Sequence, residues 1–129
     1  MNIVVVAALI IKNNKVLIAR RSTGDPNVIG KWEFPGGKVE KNENEYDAIE
    51  REIKEEFELN IKAKKYLTNS ICNYPNKIVD LRLYGCEYIS GKFNLHEHSE
   101  YKWVSPKSLF DYDLAPADIT LAEFVKELK

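Results

Sequence analysis

Between Gly37 and Leu59 the chain reads GKVEKNENEYDAIEREIKEEFEL, and its glutamates stand at the spacing that can hold a divalent cation against a polyphosphate. As a helix from about Glu45 to Phe57, advancing about 100° per residue, the segment sets Glu52, Glu55 and Glu56 on one side. Carboxylates gathered this way repel one another unless a cation lies among them. Tyr46, Ile49, Ile53 and Phe57 fall on a neighbouring stripe, the pattern of a helix buried along one flank. A solvated acidic face is the plainer reading, because glutamate forms helices well and glutamate runs usually face water. Glu52 and Glu56, however, are a like-charge i,i+4 pair, which costs about 0.2–0.5 kcal/mol, and Lys54 does not project from their face. Spacing by itself leaves both readings open.

Phosphoryl transfer asks a protein mainly for placement and charge neutralisation. Carboxylates, carbonyls and water suit Mg²⁺ or Mn²⁺, and glutamates beside the flexible Gly36-Gly37 pair meet that need. Metal lowers the pKa of a bound water, so the base that takes its proton needs little intrinsic strength. Elsewhere, Phe34 and Tyr74 can sandwich a nucleobase between their ring faces, although strand aromatics usually belong to a core. Asp118 precedes an apolar helical run and reads either as its N-cap or as a carboxylate that accepts from an exocyclic amine such as that of cytosine. His96 and His98 lack zinc-ligand spacing and read as loop residues.

These residues need elements to hold them. Ile3 to Ile11 is apolar and rich in β-branched residues, too short to span a bilayer and without the flanks of a signal peptide, so it reads as a buried central strand. Asn13-Asn14 separates it from a second strand, Val16 to Arg21. A loop from Ser22 to Gly30 leads to a short strand, Trp32 to Phe34, and the glutamate helix follows. Ile61 to Tyr74 and Lys77 to Tyr88 form a second hairpin about Pro75-Asn76, and a further strand covers Tyr101 to Val104. Ser105-Pro106 opens a short helix to about Phe110. Asp118 caps a last helix through Leu128, with Leu121, Phe124, Val125 and Leu128 inward. The 129 residues read as one domain, an α+β or α/β/α sandwich.

A net charge of −1 argues against holding nucleic acid by bulk phosphate neutralisation. Cys72 and Cys86 lie outside any metal pattern and read as reduced thiols of a cytoplasmic protein.

Gly37, Glu43, Arg51, Glu52, Ile53, Glu55, Glu56 and Leu59 resemble the Nudix box, G-x5-E-x7-R-E-U-x-E-E-x-G-U, where U is a bulky apolar residue. One element departs: Glu58 stands where that family has glycine, so Asn60 is expected to take over the helix stop. With VAALIIKNNKVLIARR, WEFPGGKVE, HEHSEYKWVSP and LAPADI, nearly the whole chain resembles MutT-type nucleoside triphosphate pyrophosphohydrolases, above all their bacterial CTP pyrophosphohydrolase branch.

The resemblance implies an α/β/α sandwich on a mixed sheet. It also implies Mg²⁺-dependent cleavage of a nucleoside triphosphate to the monophosphate and pyrophosphate, in several relatives to remove oxidised or modified nucleotides. By the same resemblance the Gly36 carbonyl and the Glu52, Glu55 and Glu56 carboxylates hold metal, and Glu52 or a glutamate outside the helix serves as base. Arg51 and Glu43 then orient the cluster, Glu97 is a loop ligand or base, Arg21 points at the phosphates, and Asp118 stands where the base edge is read. The expected partner is a small nucleotide, with no membrane and no nucleic acid, and the expected state is a monomer or weak homodimer. Selectivity for 8-oxo-dGTP, cleavage of nucleotide sugars or dinucleotides, and a non-catalytic sensing module are the alternatives. Retention of the box carboxylates speaks against the last.

Overall fold

The computed structural model describes residues 2–24 and 26–128. Strand β1 (Asn2–Lys12) lies in the middle of a mixed sheet, parallel to β6 (Lys77–Gly91) from Asn2↔Ile78 to Ile10↔Cys86. On its other side β1 changes partner along its length. Val5 to Ala7 pair with β4 (Gly36–Lys38), and Ile11 and Lys12 pair with β2 (Lys15–Arg21). Asn13 and Asn14 make the connecting turn at φ of 53° and 62°, a conformation asparagine tolerates and a two-residue hairpin requires. β2 then pairs with β3 (Trp32–Glu33) and with β7 (His98–Val104), while β5 (Leu59–Tyr74) forms the long hairpin with β6.

The unbroken apolar run of β1 has its cause in this position. Val6, Ala8 and Ile10 face a core layer under helix α1 (Glu45–Phe57), whereas Ala7 and Leu9 face a layer under α2 (Pro116–Lys126). With both faces covered, neither parity can be polar. The sandwich expected from the sequence is the one observed, and no helix among the described residues is long and apolar enough to cross a membrane.

α1 keeps the expected bounds because its signals are local. The Asn44 side chain accepts from the Asp47 N–H at 2.8 Å, and Ile49, Ile53 and Phe57 are fully buried. Tyr46 departs from the expected stripe: it sits in the first turn, 42% exposed, with its ring edge-on to Tyr84. The helix stop also differs. Glu58 itself takes the left-handed conformation (φ 57°, ψ 35°), and Asn60 belongs to β5, where its Oδ1 accepts from Lys54 Nζ.

Asp118 does not cap α2. Pro116 is pre-set for the first helical turn, so the helix begins three residues earlier, with Ala115 as cap and Asp118 buried in the first turn. Leu121 and Val125 face inward as expected, but Leu128 lies past the last turn and is 40% exposed. β7 starts at His98 rather than Tyr101, and a 3-10 helix covers Pro106–Asp111.

Candidate active site

Beside β1 the chain makes a close approach. A Cβ on Gly36 would stand 1.9 Å from the Val6 carbonyl oxygen, and one on Gly37 would stand 2.2 Å from the Glu52 carboxylate. Two glycines therefore let β4 lie against β1 while α1 brings Glu52 down beside it. The result is a cavity of about 460 Å³ whose lining includes Gly36, Gly37, Glu52, Glu56, Glu97 and Arg21, and also Glu33, Phe34, Tyr74 and Asp118.

Arg51 fixes the outer edge of the glutamate group. Its Nε and Nη2 donate to the two Glu43 oxygens at 2.7 and 3.0 Å, Nη1 donates to Glu52 at 3.0 Å, and Nη2 also reaches the Lys38 carbonyl at 3.0 Å. The bond from Arg51 holds the Glu43 carboxyl below its ordinary range. Glu55 goes to the same guanidinium, 3.2 Å away and 55% exposed, and among the described residues it is not part of the cavity wall.

Glu56 is the inner member. It is 6% exposed, and its Oε1 is buried without a hydrogen-bond partner. Burial, and then the neighbouring Glu97 and Glu52, push its carboxyl up to about 10. Three carboxylates, Glu52, Glu56 and Glu97, thus crowd one wall and resist being charged together. A partnerless buried oxygen among hard-oxygen donors is the chemistry of a Mg²⁺ or Mn²⁺ seat. Among the described residues, no three acidic, histidine or cysteine side chains stand in ready-made coordination.

Glu97 precedes β7. Its backbone carbonyl accepts from both the N–H and the hydroxyl of Ser22, at 3.1 and 3.0 Å, and its carboxylate lies 3.9 Å from Arg21. Arg21 donates to Glu33 at 3.0 Å, whereas Arg20 turns outward to Glu100. Glu33 was not among the expected residues, and neither was its second partner. His98, expected in a loop, is a strand residue with a side chain 0% exposed, its Nε2 is 2.9 Å from the Glu33 oxygen that Arg21 uses, and its ring is stacked on Phe57. The available signal was slight, since Glu33 lay in an expected strand but His98 in none, and only the pairing of β2 with both β3 and β7 joins them.

Asp118 closes the chain of charges. Its Oδ1 accepts from the Phe34 N–H at 2.9 Å, and burial, reinforced by Glu33, raises its pKa well above the usual carboxylate value. Phe34 is 3% exposed, and Tyr74 carries Lys77 Nζ over its ring at 5.3 Å. All of the expected site residues except Glu43, Arg51 and Glu55 meet in this one cavity.

Residues 1–128 match the NUDIX domain family. The chain belongs to it. The CTP pyrophosphohydrolase of Escherichia coli (strain K12) is 35% identical over 125 residues, covering 97% of this chain and 92% of that protein. The 8-oxo-dGTP diphosphatase of Buchnera aphidicola subsp. Schizaphis graminum (strain Sg) is 33% identical over 100 residues, covering 78% and 75%. Among solved structures, the solution structure of the E. coli ORF135 protein superposes with a TM-score of 0.84 at 35% identity, covering 95% of this chain and 86% of that one. The Nudix fold and the glutamate segment thus come together in one chain.

Proposed function

We propose that this Nudix chain hydrolyses nucleoside triphosphates to the monophosphate and pyrophosphate, acting on oxidised, otherwise modified or cytosine nucleotides. What supports the reading is that Glu52, Glu56 and Glu97 share a cavity with Arg21, Phe34, Tyr74 and Asp118. Acid for a cation, a guanidinium for phosphate and the half-buried Tyr74 ring for a base lie within one hollow, while Phe34 packs in the core beneath. Glu52, Glu56 and Glu97, with the Gly36 carbonyl and, by family resemblance, Glu55, would hold Mg²⁺ or its substitute Mn²⁺. Bound there, the ion supplies neutralisation of phosphate charge and an acidified water.

The chain's own groups do the rest. Arg51 keeps Glu52 in one orientation, so that its free oxygen can take a proton from the attacking water. Arg21, steadied by Glu33, faces the phosphates. One phosphoanhydride bond breaks, the water oxygen joins phosphorus, and its protons pass to Glu52 and on to solvent. With Asp118 Oδ1 taken by Phe34, Oδ2 is the atom left to meet a base edge. Two free cysteines suit the reducing cytoplasm.

A panel of common, oxidised and 5-substituted nucleotides, assayed for pyrophosphate with Mg²⁺, tests the reading. Wild type is expected to release pyrophosphate and monophosphate, Glu52→Gln to lose at least about a hundredfold in kcat, and Asp118→Asn to change the ranking of bases. No pyrophosphate from any member of the panel would end the proposal. The 8-oxo-dGTP diphosphatase relative favours selectivity for 8-oxo-dGTP alone as the second reading, and the same panel separates that from the broader one.

A further inference from the structure

The glutamate segment departs from the family pattern at Glu58, and the side chain gained there reaches the loop that carries Glu97. Glu58 Oε2 accepts from Asn94 Nδ2 at 2.8 Å and lies 2.7 Å from His96 Nε2. Two backbone bonds run beside them: the Asn94 N–H donates to the Phe57 carbonyl at 3.1 Å, and the His96 N–H donates to the Glu56 carbonyl at 3.2 Å. These carbonyls belong to the last turn of α1, where helical partners run out. The loop supplies the missing donors, and Glu58 grips the same two loop residues by their side chains. Glu97 is the next residue.

We infer that Glu58 is a positioning residue, trading the backbone ease of glycine for a clamp that sets the Glu97 loop against the end of the helix bearing Glu52 and Glu56. The inference rests on the proposed role of Glu97. A purely structural role does not account for the arrangement. Glu58 and His96 side chains are 46% and 47% exposed, and exposed pairs of this kind add little to stability. A left-handed backbone is moreover the one place where glycine is easier than glutamate. The clamp therefore contributes little to folding, and its effect falls on where Glu97 stands. Because both side-chain contacts converge on one oxygen, an amide oxygen can replace it.

Three variants decide the matter, each read by turnover and by amide exchange of the metal-free protein. Glu58→Gly is expected to keep or raise Tm, to lose about tenfold in kcat with KM within about twofold, and to exchange the Asn94 and His96 amides about tenfold faster. Glu58→Gln, which keeps the accepting oxygen, is expected to restore both. Joint replacement of Asn94 and His96 by alanine is expected to copy Glu58→Gly from the other side. Glu97→Gln run in parallel separates the two failures. If it is fully active, there is nothing to position and the proposed role of Glu97 falls with the clamp. If it is inactive while Glu58→Gly turns over normally with unchanged exchange, the clamp alone is overturned.

Discussion

Arg51 divides its planar fork of donors among Glu43, Glu52, Glu55 and the Lys38 carbonyl, a distribution open to a guanidinium and closed to an ammonium. Arg51→Lys is accordingly expected to lose about 10- to 100-fold in kcat and about 1–3 kcal/mol of stability, read by pyrophosphate release and urea denaturation. Asp118 makes a pH prediction. Its folded pKa lies above the unfolded value, so the native state holds a proton that the unfolded chain releases. Its contribution to stability is full below the unfolded carboxylate pKa and is lost as pH rises toward the raised value. Glu56, pushed up to about 10, bends the curve the same way. Asp118→Asn keeps the Phe34 bond and removes one share of the slope. Urea midpoints should show it gaining on wild type as pH rises above the ordinary carboxylate range, and parallel curves would refute the assignment.

The two glycines of β4 are neighbours with opposite liabilities. A methyl at Gly36 meets the backbone of Val6 and Ala7, which cannot step aside, whereas one at Gly37 meets the end of the Glu52 side chain, which can. Gly36→Ala is therefore expected to cost about 1–3 kcal/mol or more in stability. Gly37→Ala is expected to melt near wild type yet lose most of its turnover, because Glu52 is displaced. Thermal melts set beside activity distinguish the two. The same contrast between local and remote causes governs what was legible in the residues. α1 could be read closely because Asn44, the Ile49-Ile53-Phe57 stripe and the acidic flank are all local signals. The side-chain role of Glu58 could not, since its partner His96 stands on a loop thirty-eight positions along. Asp118 was misplaced as a cap because Pro116 sets the helix start, and its real partner is the Phe34 backbone just after β3.

At the scale of the molecule, the site is a seam between two core layers, and its proposed members come from β2, β3, β4, α1, β5, the loop before β7, and α2. The sandwich was legible because the apolar patterns are long. The Arg21, Glu33 and His98 group was not, because it exists only once β2 has paired on both sides. A cation that binds this seam stabilises the native state by mass action. Mg²⁺ is therefore expected to raise the Tm of wild type in calorimetry and to leave Glu56→Gln nearly unmoved. Equal shifts in both would place the ion elsewhere.

The parallel register that joins Asn2 to Ile78 and Ile10 to Cys86 also sets an order of events during synthesis. The first strand leaves the ribosome long before its neighbour is translated, so its oily surface waits uncovered, and such distant pairings form slowly. A nascent chain paused at Pro75 already contains every residue of the glutamate segment but has no floor for a nucleotide. Competence arrives only once the stretch carrying Glu97 and Asp118 has been made, and a polypeptide cut short before it gains the motif without the enzyme.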